Sequence, residues 1–327
     1  MAEYIYQIKP EIEILRNIYN NSANYIWNID CQNIRKNDTI YFYVDMTGHN
    51  HGLNYVGRIA FVATVKKVLS NGIQLEINQI MKSASDELVF YDCGNNSSAP
   101  KRKKSYSLDT NGFSPNSGQI VTVGTQLSDY IRTRAKNTAN TYPEKMATEF
   151  QMMYEFFRCS YPKKASTRKL YGNYSANIIS KYIQKVIDDN EKNYRVSEFN
   201  SYIQGCATEF DALIVEKNAQ NLNGIYNSKD VVAVLEYKAY GIVDVEQLNH
   251  FIESYKANSN LKIGYITLSE SESPKAKVKF RTETEKKFNS EKIGKESLFF
   301  VINKSNKNSL FDDNALEWEK FVLSLLP

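Results

Sequence analysis

Two apolar segments with the pattern of buried strands carry ionisable side chains, and this feature limits the possible folds more than any other. The first segment, EFDALIV, contains Asp211, and the second, VVAVLEYKAYG, contains Glu236 and Lys238. Burying a charged group is costly unless the group is paired or bound to a metal ion. Residues two apart on a strand share a face, so we expect Glu236 and Lys238 side by side and Tyr237 pointing the opposite way. The pattern predicts two adjacent strands that present charge at the same end.

Helical and extended patterns alternate around these two segments. They comprise, in chain order, helix SANIISKYIQKVIDD, strands RVSEFNSYIQG, EFDALIVEK and DVVAVLEYKAYG, helix VDVEQLNHFIESYKA, strands LKIGYITL and SLFFVINK, and helix ALEWEKFVLSLL. Continuous apolar runs such as VVAVL and YITL suit strands covered on both faces. The sequence therefore predicts a mixed α/β domain with helices flanking its sheet.

The N-terminal part has a different pattern. TIYFYV, NYVGRIAFVATVKKV and IQLEINQI, separated by polar turns, predict a β-meander between Asp38 and Ile80. Residues 94–118 predict a long exposed loop, whose basic run 101–104 (KRKK) is interpreted as solvated, with phosphate binding as the alternative. LSDYIRTRAKN and PEKMATEFQMMYEFFRC then have helical spacing, and the second predicts a core-packing stripe. The stripe consists of Met146, Phe150, Met153, Phe156 and Phe157.

Composition narrows the class of protein. A chain of 327 residues favours two domains over one, and we place the boundary near residue 130. Hydrophobic residues at 42% and charged residues at 24% are typical of a globular protein. A net charge of +4 permits a nucleic-acid partner without requiring one. The start MAEYIYQIKP is unlike a secretory signal and no segment resembles a membrane span, so we expect a cytoplasmic protein with no membrane partner.

Residues that commonly hold transition metals are scarce. The chain has four cysteines and three histidines: Cys31, Cys93, Cys159, Cys206, His49, His51 and His250. Without a C-x-x-C pair, the cysteines argue against a zinc knuckle or a disulfide framework and are predicted to be buried thiols. His49 and His51 are interpreted as loop residues rather than a metal pair. Carboxylates and lysines must therefore carry any chemistry.

The arrangement of Asp211, Glu236 and Lys238 resembles that of the PD-(D/E)XK nuclease superfamily, which has the restriction-endonuclease-like fold, over about residues 175–269. The resemblance implies that Asp211, Glu236 and the backbone carbonyl of Tyr237 bind Mg²⁺, with Mn²⁺ able to substitute, and that Lys238 orients or activates the attacking water. Hard oxygen ligands suit Mg²⁺, which lowers the pKa of bound water. The alternative for the three charged side chains is a surface ion-pair patch at a strand edge.

Other residues match the superfamily only in part. Its eponymous proline is absent before Asp211, where Glu209 is an alternative assistant at the site. Gln247 in VEQLNHF is similar to a helix glutamine that some of these families place near the metal or the scissile strand, although Phe251 stands where the Q-x-x-x-Y subgroup has tyrosine. Alternatively, Gln247 closes the helix start, because its spacing from Asp244 is that of a capping box.

The segments NIRKNDTIYFYV and YVGRIAFVATVKKV resemble the PUA-like barrels that include the EVE domain, with Asn37 in place of a glycine. The resemblance implies a small barrel whose aromatic pocket reads a modified base extruded from the double helix. Stacking on such a pocket recovers the cost of flipping the base. Trp27, Tyr41 and Tyr43 are the candidates, and ordinary barrel-core packing is the alternative for each of them.

Together these patterns predict a two-domain α+β protein. Residues 1–130 form a small PUA-like β-barrel for DNA recognition, residues 131–174 a helical linker, and residues 175–327 a restriction-endonuclease-like nuclease core with a mixed sheet flanked by helices. The expected function is Mg²⁺-dependent cleavage of modified double-stranded DNA in prokaryotic defence, by a homodimer because double-strand cleavage usually needs two active sites. The alternatives are a sequence-specific type II restriction endonuclease acting on unmodified DNA, and a catalytically silent module that binds nucleic acid or a nucleotide.

Overall fold

The computed structural model describes residues 1–19, 25–29, 33–44, 58–81, 120–124, 128–129, 141–160, 167–241, 249, 252–253, 261–270, 286, 290, 298–300 and 315–327. The chain divides into two compact units. The first unit consists of Met1–Asn140 and Gln151–Lys164, and the second consists of Thr141–Phe150 and Ala165–Pro327. The domain limits drawn from the sequence stay predictions.

The first unit contains a five-stranded sheet. Its strands are β1 (Glu3–Ile8), β2 (Thr39–Val44), β3 (Arg58–Leu69), β4 (Gly72–Ile80) and β5 (Ile120–Thr122). Helix α1 (Ile12–Tyr19) follows β1. The sheet order is β4-β3-β2-β1-β5, with β1 parallel to β2 and the other pairs antiparallel. Strands β2, β3 and β4 form the meander that the sequence indicates, whereas β1 joins the sheet at a place that the sequence analysis did not predict.

The predicted N-terminal barrel is not shown. A barrel closes only when its edge strands hydrogen-bond to each other. In the described part of this unit, β4 and β5 lie at opposite edges and pair with β3 and β1 respectively, so the five strands form an open sheet. The sheet is nevertheless well buried, because all six residues of β1 lie in the interior.

Among the described residues, the second unit has nine strands, three α-helices with defined bounds and a short 3-10 helix, Ser228–Asp230. The helices are α2 (Tyr142–Ser160), which also supplies residues to the first unit, α3 (Thr167–Asp189) and α4 (Ala315–Ser324). The strands are β6 (Tyr194–Val196), β7 (Ser201–Ile203), β8 (Glu209–Phe210), β9 (Ala212–Glu216), β10 (Asn221–Leu222), β11 (Ile225–Tyr226), β12 (Val231–Gly241), β13 (Lys262–Glu270) and β14 (Leu298–Phe300). The predicted stripe on α2 is confirmed as buried at all five positions.

The main sheet of this unit is mixed, as predicted. Its order is β14-β13-β12-β9-β6, with β12, β13 and β14 parallel and the pairs β12–β9 and β9–β6 antiparallel. A second, four-stranded sheet of the same unit, called the small sheet below, has the order β10-β11-β7-β8. The segments RVSEFNSYIQG and EFDALIVEK, each predicted as one strand, are both divided between the two sheets. The second of them divides at Asp211.

The two faces of the main sheet have different covers. On one face lies α3, whose buried Ile179, Ile183 and Val186 recur at helical spacing. Gly264 of β13 belongs to the same face, where a Cβ atom would lie 2.7 Å from Leu235 Cδ2, so the glycine allows close packing. On the other face, apolar side chains of β9, β12 and β13 pack with residues of the small sheet and with a helical residue. This cluster includes Leu213, Val234, Tyr265, Phe210, Tyr226 and Ile252.

Several predictions fall outside the described residues. These are the basic run 101–104, most of the helices predicted over LSDYIRTRAKN and VDVEQLNHFIESYKA, and Gln247, Phe251, Cys31, Cys93, His49, His51 and His250. The prediction that the cysteines are buried was wrong for Cys159 and Cys206, which are only half-buried. None of the helices in the described ranges is both long and apolar enough to cross a membrane.

Candidate functional site

Asp211 lies where the ladder between β9 and β12 ends. Ala212, the first residue of β9, pairs with Leu235, so Asp211 is the first residue beyond the paired region. Its backbone carbonyl accepts a hydrogen bond from the Asn200 N–H at 3.2 Å. The chain passes here from β8 of the small sheet to β9 of the main sheet. This change of sheet brings a carboxylate to the end of the β9–β12 ladder.

The Asp211 side chain reaches across to β12. Its Oδ2 accepts the Tyr237 backbone N–H at 2.6 Å, in place of the backbone acceptor that a continuing β9 would supply. The N–H and C=O groups of one residue in an extended strand point to the same edge. The Tyr237 carbonyl therefore also faces the edge at which the Asp211 carboxylate lies.

Glu236 and Lys238 lie side by side on one face of β12. Lys238 Nζ is 2.6 Å from Glu236 Oε1, and the two side chains are 21% and 16% exposed respectively. Tyr237 is buried, and its hydroxyl accepts a hydrogen bond of 3.1 Å from Ser180 Oγ of α3. Burial raises the pKa of Tyr237. Helix α3 thus fixes the strand from one face, while the charged pair occupies the other.

The two carboxylates repel each other in a poorly solvated place. Burial raises the pKa of Asp211 to about 7, and the negative charge of Glu236 adds to the increase. The Tyr237 N–H and the Lys238 ammonium oppose this increase but do not cancel it. The protein therefore holds more negative charge here than its own donors stabilise, and a bound cation would stabilise the ionised form of both side chains.

The oxygen atoms at this edge fit Mg²⁺. The available donors are the carboxylates of Asp211 and Glu236 and the carbonyl of Tyr237. Mg²⁺ commonly takes one or two protein carboxylates and keeps several waters. Among the described residues, no group of three or more His, Cys, Asp or Glu side chains is placed to hold a metal ion. The donor set therefore suits a hydrated hard cation rather than a closed zinc site.

Glu209 lies beside this site rather than in it. Its carboxylate accepts a hydrogen bond from the Tyr202 hydroxyl at the surface of the small sheet. Its charge makes a minor contribution to the raised pKa of Asp211.

The structure also places Thr267 next to Lys238 on the neighbouring strand. A single threonine in the apolar segment LKIGYITL gave no pattern by which the sequence analysis would have found it.

The three aromatic residues considered for base recognition are buried in the first unit. Trp27, Tyr41 and Tyr43 have 6%, 4% and 2% of their surface exposed. The Trp27 ring lies 4.9 Å from the Phe42 ring and 5.0 Å from the Tyr25 ring, measured between centroids. These contacts are those expected of core packing, which was the alternative left open. Their role in base recognition stays a prediction.

No protein-family model and no curated protein matches the chain. Among solved structures, it is similar to NucC from P. aeruginosa ATCC27853 in the cAAA-bound form, with a TM-score of 0.30 and 12% identity over 41% of this chain and 63% of that chain. It is also similar to the cAAA-bound and apo forms of NucC from E. coli MS115-1. Their TM-scores are 0.29 and 0.25 at 12% identity, over 41% and 39% of this chain and 64% and 63% of those chains. The matched region spans less than two thirds of each NucC chain.

Proposed function

We propose that the protein is a Mg²⁺-dependent DNA endonuclease that hydrolyses phosphodiester bonds. One observation carries the proposal: two carboxylates, a strand carbonyl and a lysine converge at the end of the β9–β12 ladder. The Asp211 carboxyl there has a pKa raised by burial and by Glu236. A carboxylate whose pKa is raised by burial and by a neighbouring charge is typical of functional sites.

Each side chain has a role in this proposal. Asp211, Glu236 and the Tyr237 carbonyl would hold the ion. Bound Mg²⁺ lowers the pKa of a water ligand and stabilises charge on the phosphate. Lys238 donates hydrogen bonds to the attacking water and orients it for in-line attack. The two ionised carboxylates and one ammonium leave a single net negative charge, so the cation is also needed before a phosphodiester can approach closely.

A row of exposed side chains near the site supports DNA as the substrate. The strand registers align Leu222 with Ile225, Ile225 with Tyr202, and Tyr202 with Glu209, so the four side chains project from one face of the small sheet. Leu222 and Ile225 are 74% and 45% exposed. Apolar side chains that insert at base steps are a common means of holding DNA in the minor groove. The row ends at Glu209, two residues before Asp211.

The finer parts of the proposal rest on sequence resemblance. The residues 211–238 resemble the PD-(D/E)XK pattern, which supports a restriction-endonuclease-like activity in prokaryotic defence. We further propose that the first unit selects modified DNA, on the resemblance of its β2–β3 region to PUA-like domains. Two copies of the chain would supply one active site for each DNA strand, so a homodimer completes the proposal.

The test uses purified protein, Mg²⁺ and two phage DNAs, one unmodified and one carrying modified cytosines. Glu236→Gln keeps the shape of the side chain but removes its charge, and we expect it to abolish cleavage. Glu216→Gln, at the far end of β9, is the matched control and should cleave like wild type. Cleavage of the modified DNA alone supports the full proposal, and cleavage of unmodified DNA indicates an ordinary type II enzyme.

The silent binding module predicts a different outcome. It requires that the protein bind DNA but bind no Mg²⁺ in titration calorimetry and cleave neither DNA. Wild-type cleavage by Glu236→Gln would equally refute the proposed catalytic site, because no other described residue is assigned its role.

A further inference from the structure

Within residues 249–270, two buried oxygen atoms have no hydrogen-bond partner among the residues that the structure describes. They are Thr267 Oγ1 of β13 and Asn249 Oδ1, which belongs to a helical residue between β12 and β13. Thr267 is only 1% exposed. A buried polar atom without a partner is destabilising, and native proteins keep few of them. Both atoms therefore need an explanation.

Thr267 lies beside Lys238 on the same face of the main sheet. Strands β12 and β13 are parallel, and their register pairs Glu236 with Tyr265 and Lys238 with Thr267. Paired residues of neighbouring strands project from the same face. The face that carries the Glu236–Lys238 ion pair thus also carries the buried threonine hydroxyl.

Asn249 is a helical residue of the connection between β12 and β13. Ile252 packs in the apolar cluster with Val234 and Tyr265, so the helical segment that contains it covers this face of the sheet. Asn249 precedes Ile252 by three residues, a spacing at which two residues of a helix share one side. In a crossover helix, which runs antiparallel to the parallel strands that it connects, Asn249 would lie nearer than Ile252 to the Glu236 end of β12.

Metal binding would change the partners available to Lys238. In the structure, its ammonium group contacts Glu236 Oε1 at 2.6 Å. If the Glu236 carboxylate binds a cation, its Oε1 becomes a weaker acceptor for the Lys238 ammonium. An ammonium group has three donors and no acceptor of its own, so it needs oxygen atoms nearby. The Thr267 hydroxyl is an acceptor on the same face, and the Asn249 amide oxygen is a buried acceptor in the connection between β12 and β13.

We propose that Thr267 is a positioning residue, whose hydroxyl accepts a hydrogen bond from the Lys238 ammonium when Glu236 binds the metal. Asn249 is a second acceptor for the same ammonium group. The inference rests on the proposed function, because it requires that Glu236 be a metal ligand. It would give both buried acceptors a hydrogen-bond partner. Lys238 then has one position paired with Glu236 and another next to the attacking water.

The test compares Thr267→Val, Thr267→Ser and the control Thr148→Val. Valine has nearly the shape of threonine without the hydroxyl, whereas serine keeps the hydroxyl. Thr148 of α2 is also fully buried with an unpartnered Oγ1, so its replacement by valine makes the same chemical change elsewhere in the second unit. Three quantities are measured: the metal-free Tm, the Mg²⁺ Kd by calorimetry without DNA, and kcat and KM for DNA cleavage.

We expect Thr267→Val to keep or raise the metal-free Tm, because it removes an unpaired polar group. It should weaken Mg²⁺ binding about 5-fold and lower kcat about 10-fold with an unchanged KM. The reason is the loss of the hydrogen bond between the neutral Thr267 hydroxyl and the charged Lys238 ammonium. Thr267→Ser should restore both values, and Thr148→Val should change neither. In a Lys238→Met background, Thr267→Val should have no further effect, because the two residues act together.

Wild-type Mg²⁺ affinity and kcat in Thr267→Val would overturn the inference and leave the proposed function standing. The same losses in Thr148→Val, or an undiminished effect of Thr267→Val in the Lys238→Met background, would also overturn it. If the wild-type protein itself binds no Mg²⁺, the proposed function fails, and the inference fails with it.

Discussion

Replacing Asp211 by asparagine should make the metal-free protein more stable at neutral pH. In the folded protein, burial and the neighbouring Glu236 raise the pKa of Asp211 from its ordinary value of 3.8 to about 7. The folded state therefore binds this proton more tightly than the unfolded chain does. It follows that the contribution of Asp211 to stability is greatest below about pH 4, falls as the pH rises to about 7, and stays low above that pH.

The size of the effect follows from the two pKa values. A difference of about 3 between them corresponds to about 4 kcal/mol at pH 8, where both states are largely ionised. Because water penetration and side-chain rearrangement relieve part of the cost of burying a charge, we expect Asp211→Asn to recover about half, or ~2 kcal/mol of the free energy of unfolding. The asparagine side-chain oxygen still accepts the Tyr237 N–H, so the hydrogen bond across the strands is kept.

The assay is denaturant unfolding in the presence of EDTA at pH 4 and pH 8. Asp211→Asn should gain stability over wild type at pH 8 and gain little at pH 4. Asp188→Asn, an exposed site on α3, should show no comparable difference between the two pH values. Saturating Mg²⁺ at pH 8 should stabilise wild type but not Asp211→Asn, because the ion binds the ionised carboxylate and favours the folded state.

Two results would refute this reasoning. One is an Asp211→Asn protein that is less stable than wild type at pH 8 without metal, which would mean that the carboxylate is well stabilised by its neighbours. The other is a gain of equal size at both pH values, which would mean that the gain comes from packing rather than from ionisation.

Three further variants test other parts of the structure. Lys238→Met should lower kcat by about 100-fold or more while Mg²⁺ still binds in calorimetry, because it removes the group that orients water. The double change Leu222→Ser and Ile225→Ser should weaken DNA binding about 10-fold, measured by fluorescence anisotropy with Ca²⁺ to prevent cleavage. It should leave the Tm unchanged, because both side chains are exposed. Burial raises the pKa of Glu149, so the contribution of Glu149 to stability falls as the pH rises above about 4.5. Glu149→Gln should therefore reduce the pH dependence of the free energy of unfolding in that range, measured by denaturant unfolding.

Local patterns were sufficient for most strands and helices of the second unit. The β-branched run before Glu236 predicts β12, and the spacing of apolar residues in α3 predicts its buried face. The alternation rule also predicts the contact between Glu236 and Lys238, because residues two apart must share a face. These features depend only on neighbouring residues, which is why a sequence reveals them.

Features that depend on distant partners were missed. Strand β1 pairs with a strand more than thirty residues further along the chain, and its buried residues show no alternation that would mark it as extended. The break of EFDALIVEK at Asp211 arises because its halves join different sheets. The hairpin at Asn223 and Gly224 was missed although its signal was present. Both residues have positive φ angles, 52° and 81°, and an Asn-Gly pair favours such a turn.

The electrostatics of the site help to decide between a catalytic centre and a surface ion-pair patch. In a patch that stabilises the fold, a lysine beside a carboxylate lowers the pKa of that carboxylate. Here the pKa of Asp211 is raised instead, because burial and Glu236 outweigh Lys238. The same face also holds a buried Thr267 hydroxyl with no partner among the described residues. Both features destabilise the metal-free fold, and a cation held by Asp211 and Glu236 would relieve both, the first directly and the second by releasing Lys238 to Thr267.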